Sequence, residues 1–315
     1  MRAGLDSELL MEAQYNLPLT ETPFVDLAEN LGRKPEDVIK ALRYYVKIGV
    51  IKRVGPQLNY KAFREIGFAA LVGAKIGDVE KAVGIINAEK GVKHNFLRDH
   101  PIYNLWFTIK AESLDALIER TRSLMRDCGA ERYLILPSKR VYKMDVKYDL
   151  NRGVSWSEIV EERDDVKRID DEEIGKMLKD MERSFPIEER PFKKFSKKYG
   201  YKEEEIVDLI SEMVEERVVR DFYAVLNGQK SGFVENGMNL VRTEDPEGVA
   251  KRLLRKFPEI THLVERSVER DWSYPLYFMV HAVKREIIRE IAERAGKIRG
   301  IEEIKILFSL KSFKD

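Results

Sequence analysis

Only one of the 315 residues, Cys128, is a cysteine, so no internal disulfide framework can form and no Cys cluster offers an iron–sulfur or structural zinc site. An excess of either charge is also missing. The 56 Lys and Arg against 55 Asp and Glu leave a formal +1, which gives no general pull toward nucleic acid or an anionic membrane. No run approaches the roughly 18 apolar residues of a spanning helix, and the opening MRAGLDSELLMEAQ lacks the basic start and apolar stretch of a signal peptide. These absences predict a cytoplasmic protein with no membrane partner. Histidine is scarce as well. All four histidines, His94, His100, His262 and His281, fall within two short stretches, 92–111 and 260–282.

What the chain does have is duplication. With 43% hydrophobic and 35% charged residues, it can hold two domains, or four small ones, each with its own core. Pro23-Phe24 returns as Pro191-Phe192, Asn59 as Asn227, Gly67-Phe68 as Gly232-Phe233, and His94 as His262. Tyr103 returns as Tyr274, and Ile135-Leu136-x-Ser138 as Ile306-Leu307-x-Ser309. The spacing is nearly constant across a whole half, which marks an internal repeat. Residues 153–170 have no clear counterpart and join the halves.

Within each half, helix signals come first. Leu9 and Leu10 begin one helix. Pro23 sits at the start of a second, where its missing N–H costs nothing, and Phe24, Leu27, Ala28 and Leu31 form its apolar stripe before Gly32 ends it. Pro35 opens a third, with Val38, Ala41, Leu42 and Tyr45 inward and a close near Gly49. Phe192, Phe195 and Gly200, then Ile206, Leu209, Ile210 and Met213, repeat the pattern. Three short helices with a tight turn before the last predict a winged helix-turn-helix. After Gly67 the pattern becomes strand, helix, strand, strand, helix, strand, with strands at 68–76, 91–98, 103–111 and 132–142 and helices at 79–89 and 114–126. Residues 233–315 repeat that order, which is the ferredoxin-like βαββαβ arrangement. The expectation is an α+β chain: helix-turn-helix at 1–60, ferredoxin-like domain at 61–152, linker at 153–170, helix-turn-helix at 171–228 and ferredoxin-like domain at 229–315. The two halves should pack as an intramolecular pseudo-dimer.

The repeated His-x3-Arg pairs, His94 with Arg98 and His262 with Arg266, are the chemical signal. Strand alternation puts His94, Phe96 and Arg98 on one face, and likewise His262, Val264 and Arg266. At about 3.3 Å per residue, each His and its Arg stand about 13 Å apart. In the following strand Tyr274, Leu276, Phe278 and Val280 are expected against the helices, leaving Tyr277, Met279 and His281 on the opposite face. Plainer readings stand beside this one. A single His at a strand end is more often structural than catalytic, and Trp106, Tyr277 and Phe278 suit a core by default. His100 falls in a turn, and Cys128 reads as a small buried hydrophobe.

The pairing of a helix-turn-helix with a βαββαβ domain resembles the Lrp/AsnC regulators. Within that superfamily, His94-Asn95-Phe96-Leu97-Arg98 and its weaker copy His262-Leu263-Val264-Glu265-Arg266 are similar to a His-Asn/Cys-Tyr-x-Arg strand of the siroheme decarboxylases. Residues 272–281, WSYPLYFMVH, are similar to that family's Trp-Pro-Tyr-Asn-Leu-x-x-Met-x-His run, and Tyr103-Asn104-Leu105-Trp106 keeps its middle. Gly232-Phe233-x-x-Asn236-x-Met238 fits too. The chain departs where Ser273 and Pro275 replace Pro and Asn, and where Lys110 stands in the place of His281. Residues 220–224, RDFYA, match Arg-Arg-Phe-Gly-Ala only in part.

The resemblance implies two fused subunits that convert two acetate side chains of siroheme to methyl groups, giving 12,18-didecarboxysiroheme on the alternative haem or haem d1 routes. It implies catalytic roles for His281, His94 and His262, and substrate contacts from Arg98, Arg266, Lys110, Tyr274, Trp272, Tyr103, Asn104 and Arg220. Arg98 and Arg266 would clamp carboxylates, and His281 would deliver the proton. His94 or His262 could instead be an axial ligand to the substrate iron. No cofactor or protein-bound metal beyond the iron tetrapyrrole is expected, and the macrocycle would lie between sheet faces of the two halves. The rival readings are a transcription regulator and a haem or siroheme sensor without turnover. DNA is disfavoured, because 35–47 offers only Lys40, Arg43 and Lys47 against Glu36 and Asp37. Its counterpart 202–216 carries seven acidic residues against one Lys.

Overall fold

The computed structural model describes residues 4–63, 67–158 and 166–314. In chain order its elements are α1 (Ser7–Tyr15), α2 (Pro23–Asn30), α3 (Pro35–Lys47), β1 (Ile51–Leu58), β2 (Phe68–Lys75), α4 (Val79–Ala88), β3 (Val92–Arg98), β4 (Leu105–Ala111), α5 (Leu114–Asp127) and β5 (Arg132–Met144). Then come β6 (Tyr148–Asp149), β7 (Val154–Ser155), α6 (Glu172–Ser184), α7 (Lys193–Tyr199), α8 (Glu203–Glu215), β8 (Val219–Leu226), β9 (Glu235–Arg242), α9 (Pro246–Lys256), β10 (His262–Arg266), β11 (Leu276–Ala282), α10 (Arg285–Gly296) and β12 (Glu303–Lys314). They fall into two compact units: residues 1–66, 147–153 and 163–233, and residues 67–146, 154–162 and 234–315. Like is therefore grouped with like, helix-turn-helix with helix-turn-helix and sheet with sheet.

In the first unit the helices start and stop where local chemistry dictates. The Asp6 carboxylate accepts from the Leu9 amide at 3.1 Å, satisfying one of the orphan N–H groups of α1, and pairs with Arg33. Pro23 and Pro35 occupy first-turn positions, and α7 ends on Gly200 with φ 81°, a left-handed cap that a side chain would strain. The stripe of α3 buries Val38, Ile39, Leu42 and Tyr45, with Ile39 in the place expected for Ala41. The expected wing takes a different form. Each half supplies one strand, and β1 pairs antiparallel with β8, with Val54 opposite Ala224 and Pro56 opposite Phe222. A lone two-stranded hairpin has little to bury against, whereas this shared ribbon packs with the Phe185 ring, 5.3 Å from Phe222 and 5.0 Å from Phe192.

The second unit holds both ferredoxin-like sheets. Their strand orders are β5-β2-β4-β3 and β12-β9-β11-β10, the same arrangement twice. The edges then pair, β3 with β12 and β10 with β5, so eight strands close into a ring without a free edge. Helices α4 and α5 cover the first outer face over Val72, Phe107 and Ile109, and α9 and α10 cover the second over Leu276, Phe278 and Val280. The inner faces meet in a third cluster that includes Leu71, Trp106, Leu136, Met238, Leu240, Tyr277 and Leu307. Each buried leucine there contributes about 1.5–3 kcal/mol. The interior at that level is therefore packed with the protein's own side chains.

Residues 153–170 are not simply a tether. Val154 pairs with Ala282, and the Ser155 hydroxyl donates to the Glu259 carbonyl at 2.7 Å while accepting from the His281 amide at 3.0 Å. Residues 159–165 of that span lie outside the described residues. Among the described residues, no helix is long and apolar enough to cross a membrane.

Candidate functional site

Strand pairing shows which residues face inward. On β11, Leu276, Phe278 and Val280 join the helix-side core while Tyr277 and Met279 join the inner cluster, as alternation predicts. Tyr274 departs from expectation and belongs to the inner cluster, because it precedes the strand and alternation does not extend to it. On β3, Phe96 lies opposite Trp106, and its ring stacks with His94 at 6.3 Å and lies 4.9 Å beneath the Arg98 guanidinium. His94, Phe96 and Arg98 thus share a face, with exposure falling from His94 to Arg98.

Arg98 is 4% exposed, yet it is held only by neutral acceptors: Leu307 carbonyl oxygen at 2.9 Å and Asn236 Oδ1 at 3.2 Å. Arg266 repeats the arrangement in the other half, donating to the Leu136 carbonyl at 3.3 Å and to Ser138 Oγ at 2.9 Å. Leu136 and Leu307 are equivalent positions of the repeat, so each arginine reaches across a sheet edge to the same carbonyl of the opposite half. Neither Nε has a partner, and among the described residues no carboxylate pairs with either guanidinium. Burial pushes both down to about 10, so they stay cationic at neutral pH. Asp99 offsets part of the burial cost at Arg98; a buried cation with no hydrogen-bonded carboxylate is still costly, and it is well suited to receive one.

Beside Arg98 the pairing continues. Asn236 lies opposite His281, and its Nδ2 is 3.4 Å from His281 Nδ1. Arg98, Asn236 and His281 therefore form one polar row. By strand pairing, the equivalents of Asn236 and His281 in the first half are Ala69 and the exposed Lys110, which lie opposite each other. The two stations share the buried arginine and differ beside it. This register also corrects the expected match of Gly67-Phe68 with Gly232-Phe233, since Ala69 corresponds to Asn236. His262 places Nδ1 3.1 Å from Thr261 Oγ1, and that hydroxyl also donates to the Met279 carbonyl at 3.2 Å.

The remaining expected residues divide. Tyr103, Trp272 and Tyr274 line the inner cluster with Trp106, and Trp272 Nε1 donates to the Tyr277 hydroxyl at 2.6 Å. Burial raises the Tyr277 hydroxyl well above its ordinary value, so it remains protonated. The Asn104 amide is spent on the backbone of Ile76, donating at 2.8 Å and accepting at 2.9 Å, which makes it a pin between strand ends. Arg220 belongs to the first unit, where it donates to the Leu58 carbonyl at 3.1 Å. His100 is structural, as its turn position implied. Its Nδ1 accepts from the amides of Ile102 and Tyr103, and burial, with Lys305 nearby, lowers its pKa. Sequence reasoning gave no role to Ser138, Thr261 or Asn236. Ser138 was visible in the repeated Ile-Leu-x-Ser, but nothing in the pattern says that it receives an arginine from the other half.

The fold and site define a duplicated AsnC-like protein. The family model of the AsnC-like ligand binding domain matches residues 65–143 and 230–314, and that of the siroheme decarboxylase NirDL-like HTH domain matches 6–52 and 175–220. A siroheme decarboxylase of Hydrogenobacter thermophilus is 28% identical over 312 residues, covering 98% of this chain and 92% of that protein. The siroheme decarboxylase beta subunit of Methanosarcina barkeri is 31% identical over 140 residues, 44% of this chain and 92% of the subunit. A crystal structure of the siroheme decarboxylase NirDL, in co-complex with an iron-uroporphyrin III analogue, superposes with TM-score 0.64 at 25% identity, covering 98% of this chain and 92% of that one. The chain belongs to the siroheme decarboxylase family, in a form where two homologous subunits are fused.

Proposed function

We propose that this chain is a carboxy-lyase that decarboxylates siroheme, converting two acetate side chains to methyl groups and giving 12,18-didecarboxysiroheme. The observation that carries this reading at the level of chemistry is the pair of buried arginines bonded only to neutral acceptors. A substrate fringed by carboxylates supplies the hydrogen-bonded carboxylate partner that neither guanidinium has among the described residues. The carbon–carbon bond to one acetate carboxylate breaks and carbon dioxide leaves. The electron pair remains on the methylene carbon and spreads into the macrocycle, and a proton from His281 completes the methyl group. The reaction is redox-neutral, so no external oxidant or reductant is required. Arg98 and Arg266 bind the carboxylates that stay, and Phe96 with the exposed His94 offers a flat contact beside Arg98. His94 and His262 remain the candidates for an axial contact to the substrate iron, and Lys110 for a carboxylate at the second station.

The regulator reading is disfavoured by α8, whose exposed side carries Glu204, Glu205, Asp208, Glu212 and Glu215 and would repel a duplex. The test is anaerobic incubation of the purified protein with siroheme, followed by mass spectrometry. Loss of two carbon dioxide units is expected. Binding without loss of mass would leave the sensor reading, and absence of binding would remove both.

A further inference from the structure

We infer that α3 of one chain docks antiparallel on α8 of a second copy of the chain, a basic stripe on the first meeting an acidic stripe on the second.

The two helices are repeats of each other, and their inward faces agree: Val38, Leu42 and Tyr45 are buried on α3 where Ile206, Ile210 and Met213 are buried on α8. Their outward faces have opposite charge. Lys40, Arg43, Tyr44 and Lys47 fall on one stripe of α3 that continues to Ile48 at its C-cap, and all five are exposed, Tyr44 by 57%. On α8 the same positions hold Asp208, Ser211, Glu212, Glu215 and Glu216. Water solvates either sign, so solvation alone does not ask for an inversion between two copies of one helix.

The charges are little used within the chain. The helix α3 packs on α2 and β1, and α8 packs on α7 and β8. Among the described residues, the side chains of Lys40, Lys47, Asp208, Glu212 and Glu215 make no hydrogen bond or ion pair. Arg43 spends Nε on the Ile187 carbonyl at 2.7 Å and keeps both NH2 groups. Lys167 pairs with Glu216 and also feels Glu212, which leaves Asp208, Glu212 and Glu215 as the stripe offered to a partner.

A second copy is the occupant that satisfies both stripes. A nucleic-acid duplex would suit α3 but be repelled by α8. Because the two stripes share one spacing, antiparallel docking sets Lys40 opposite Glu215, Arg43 opposite Glu212 and Lys47 opposite Asp208. The Tyr44 ring then lies over the small Ser211, and Ile48 meets the half-buried Val207, so apolar contact is flanked by ion pairs. Parallel docking is poorer, since it leaves Arg43 opposite Ser211 and sets Glu36 against Glu204, a like-charge clash. The macrodipoles also favour the antiparallel arrangement. A single helix pair is a small interface, so the association should be weak and sensitive to salt. Each copy carries one helix of each sign, so a two-fold pair makes both contacts if the geometry closes, and an open chain of copies forms if it does not.

The test is sedimentation velocity of the full chain at about 0.01 M and about 1 M salt, where the Debye length is about 30 Å and about 3 Å. Self-association is expected at the lower salt and its loss at the higher. Lys40→Glu with Lys47→Glu gives a chain acidic on both helices, and Asp208→Lys with Glu215→Lys gives one basic on both. Alone at low salt, each should self-associate at least about tenfold more weakly than wild type, because like charges then face each other. Mixed, the two should associate again, which a folding defect in either could not produce. A wild-type chain that stays monomeric at low salt, a mixture that fails to associate, or association that survives both reversals overturns the inference. A labelled DNA duplex bound by monomeric wild type and released by Lys40→Glu with Lys47→Glu would assign the α3 stripe to nucleic acid and overturn it as well.

Discussion

Replacing Arg98 by Met separates the energetic cost of the site from its use. Held at about 10 by burial, Arg98 carries roughly 3 kcal/mol against its charged form, at 1.36 kcal/mol per pKa unit. Methionine removes that cost and fills similar volume with apolar atoms. It also gives up two charge-assisted hydrogen bonds, to the Leu307 carbonyl and to Asn236, each worth about 1.5–3 kcal/mol. The two effects nearly offset, so unfolding free energy from urea titration should fall by no more than about 3 kcal/mol. Binding has no such offset. A carboxylate that loses one charge-assisted partner should bind about 10–150-fold more weakly, since 1.4 kcal/mol is a factor of ten. The assay is a visible-spectrum titration with siroheme beside the urea curve. Arg98→Lys should not restore affinity, because an ammonium cannot reach the Leu307 carbonyl, Asn236 Oδ1 and a carboxylate in one planar fork. Unchanged siroheme affinity in Arg98→Met would refute the clamp, and affinity lost only together with folding would refute the separation of cost from use.

The same reasoning extends to four further changes. His281→Ala should abolish turnover with siroheme still bound, read by the visible spectrum and product mass; full turnover would sink the proton-donor role. The lowered pKa of His100 means that the unfolded chain binds its proton first, so stability should fall as pH drops below about 6.5. Because its ring lies 5.4 Å from Trp272 and 6.1 Å from Trp106, tryptophan fluorescence should report that step, and His100→Gln should remove it. Gly73→Val should destabilise the second unit by about 1–3 kcal/mol, since even a Cβ would sit 2.8 Å from the Trp106 ring, measured by the urea midpoint. Asp6 is pushed up by burial but lowered further by Arg33 and the Leu9 amide. Its contribution is therefore full above its unfolded value near 3.8 and lost in more acid solution, and Asp6→Ala should flatten that part of the acid unfolding curve.

The elements themselves were legible in the sequence because each is written locally. Pro23 and Pro35 fall at helix starts, Gly200 at a helix end, and the period change after Gly67 at the first sheet strand. The strand predicted at 103–111 begins at Leu105 because Tyr103 and Asn104 are turned aside, one into the inner cluster and one onto Ile76. Pairing between distant edges leaves no such mark. Nothing in residues 51–58 says that they will pair with residues 219–226 and not with their own neighbours, so the sequence placed no strands for the wing.

The same limit applies at the site, with a different consequence. The repeat displayed His94, Arg98, His262 and Arg266 because like residues recur, and recurrence is visible along one dimension. Asn236 was quoted within a motif, but its work depends on a register that sets it opposite His281 and on an arginine arriving from the other half. That arrival is possible only because β3 pairs with β12, closing the ring. Ring closure therefore does more than remove sheet edges. It brings an arginine of one half to the carbonyl, amide and histidine of the other, so neither half alone holds a complete station. A chain carrying both halves supplies them in fixed proportion and at high effective concentration, which gives a physical reason for two homologous subunits to be found as one polypeptide.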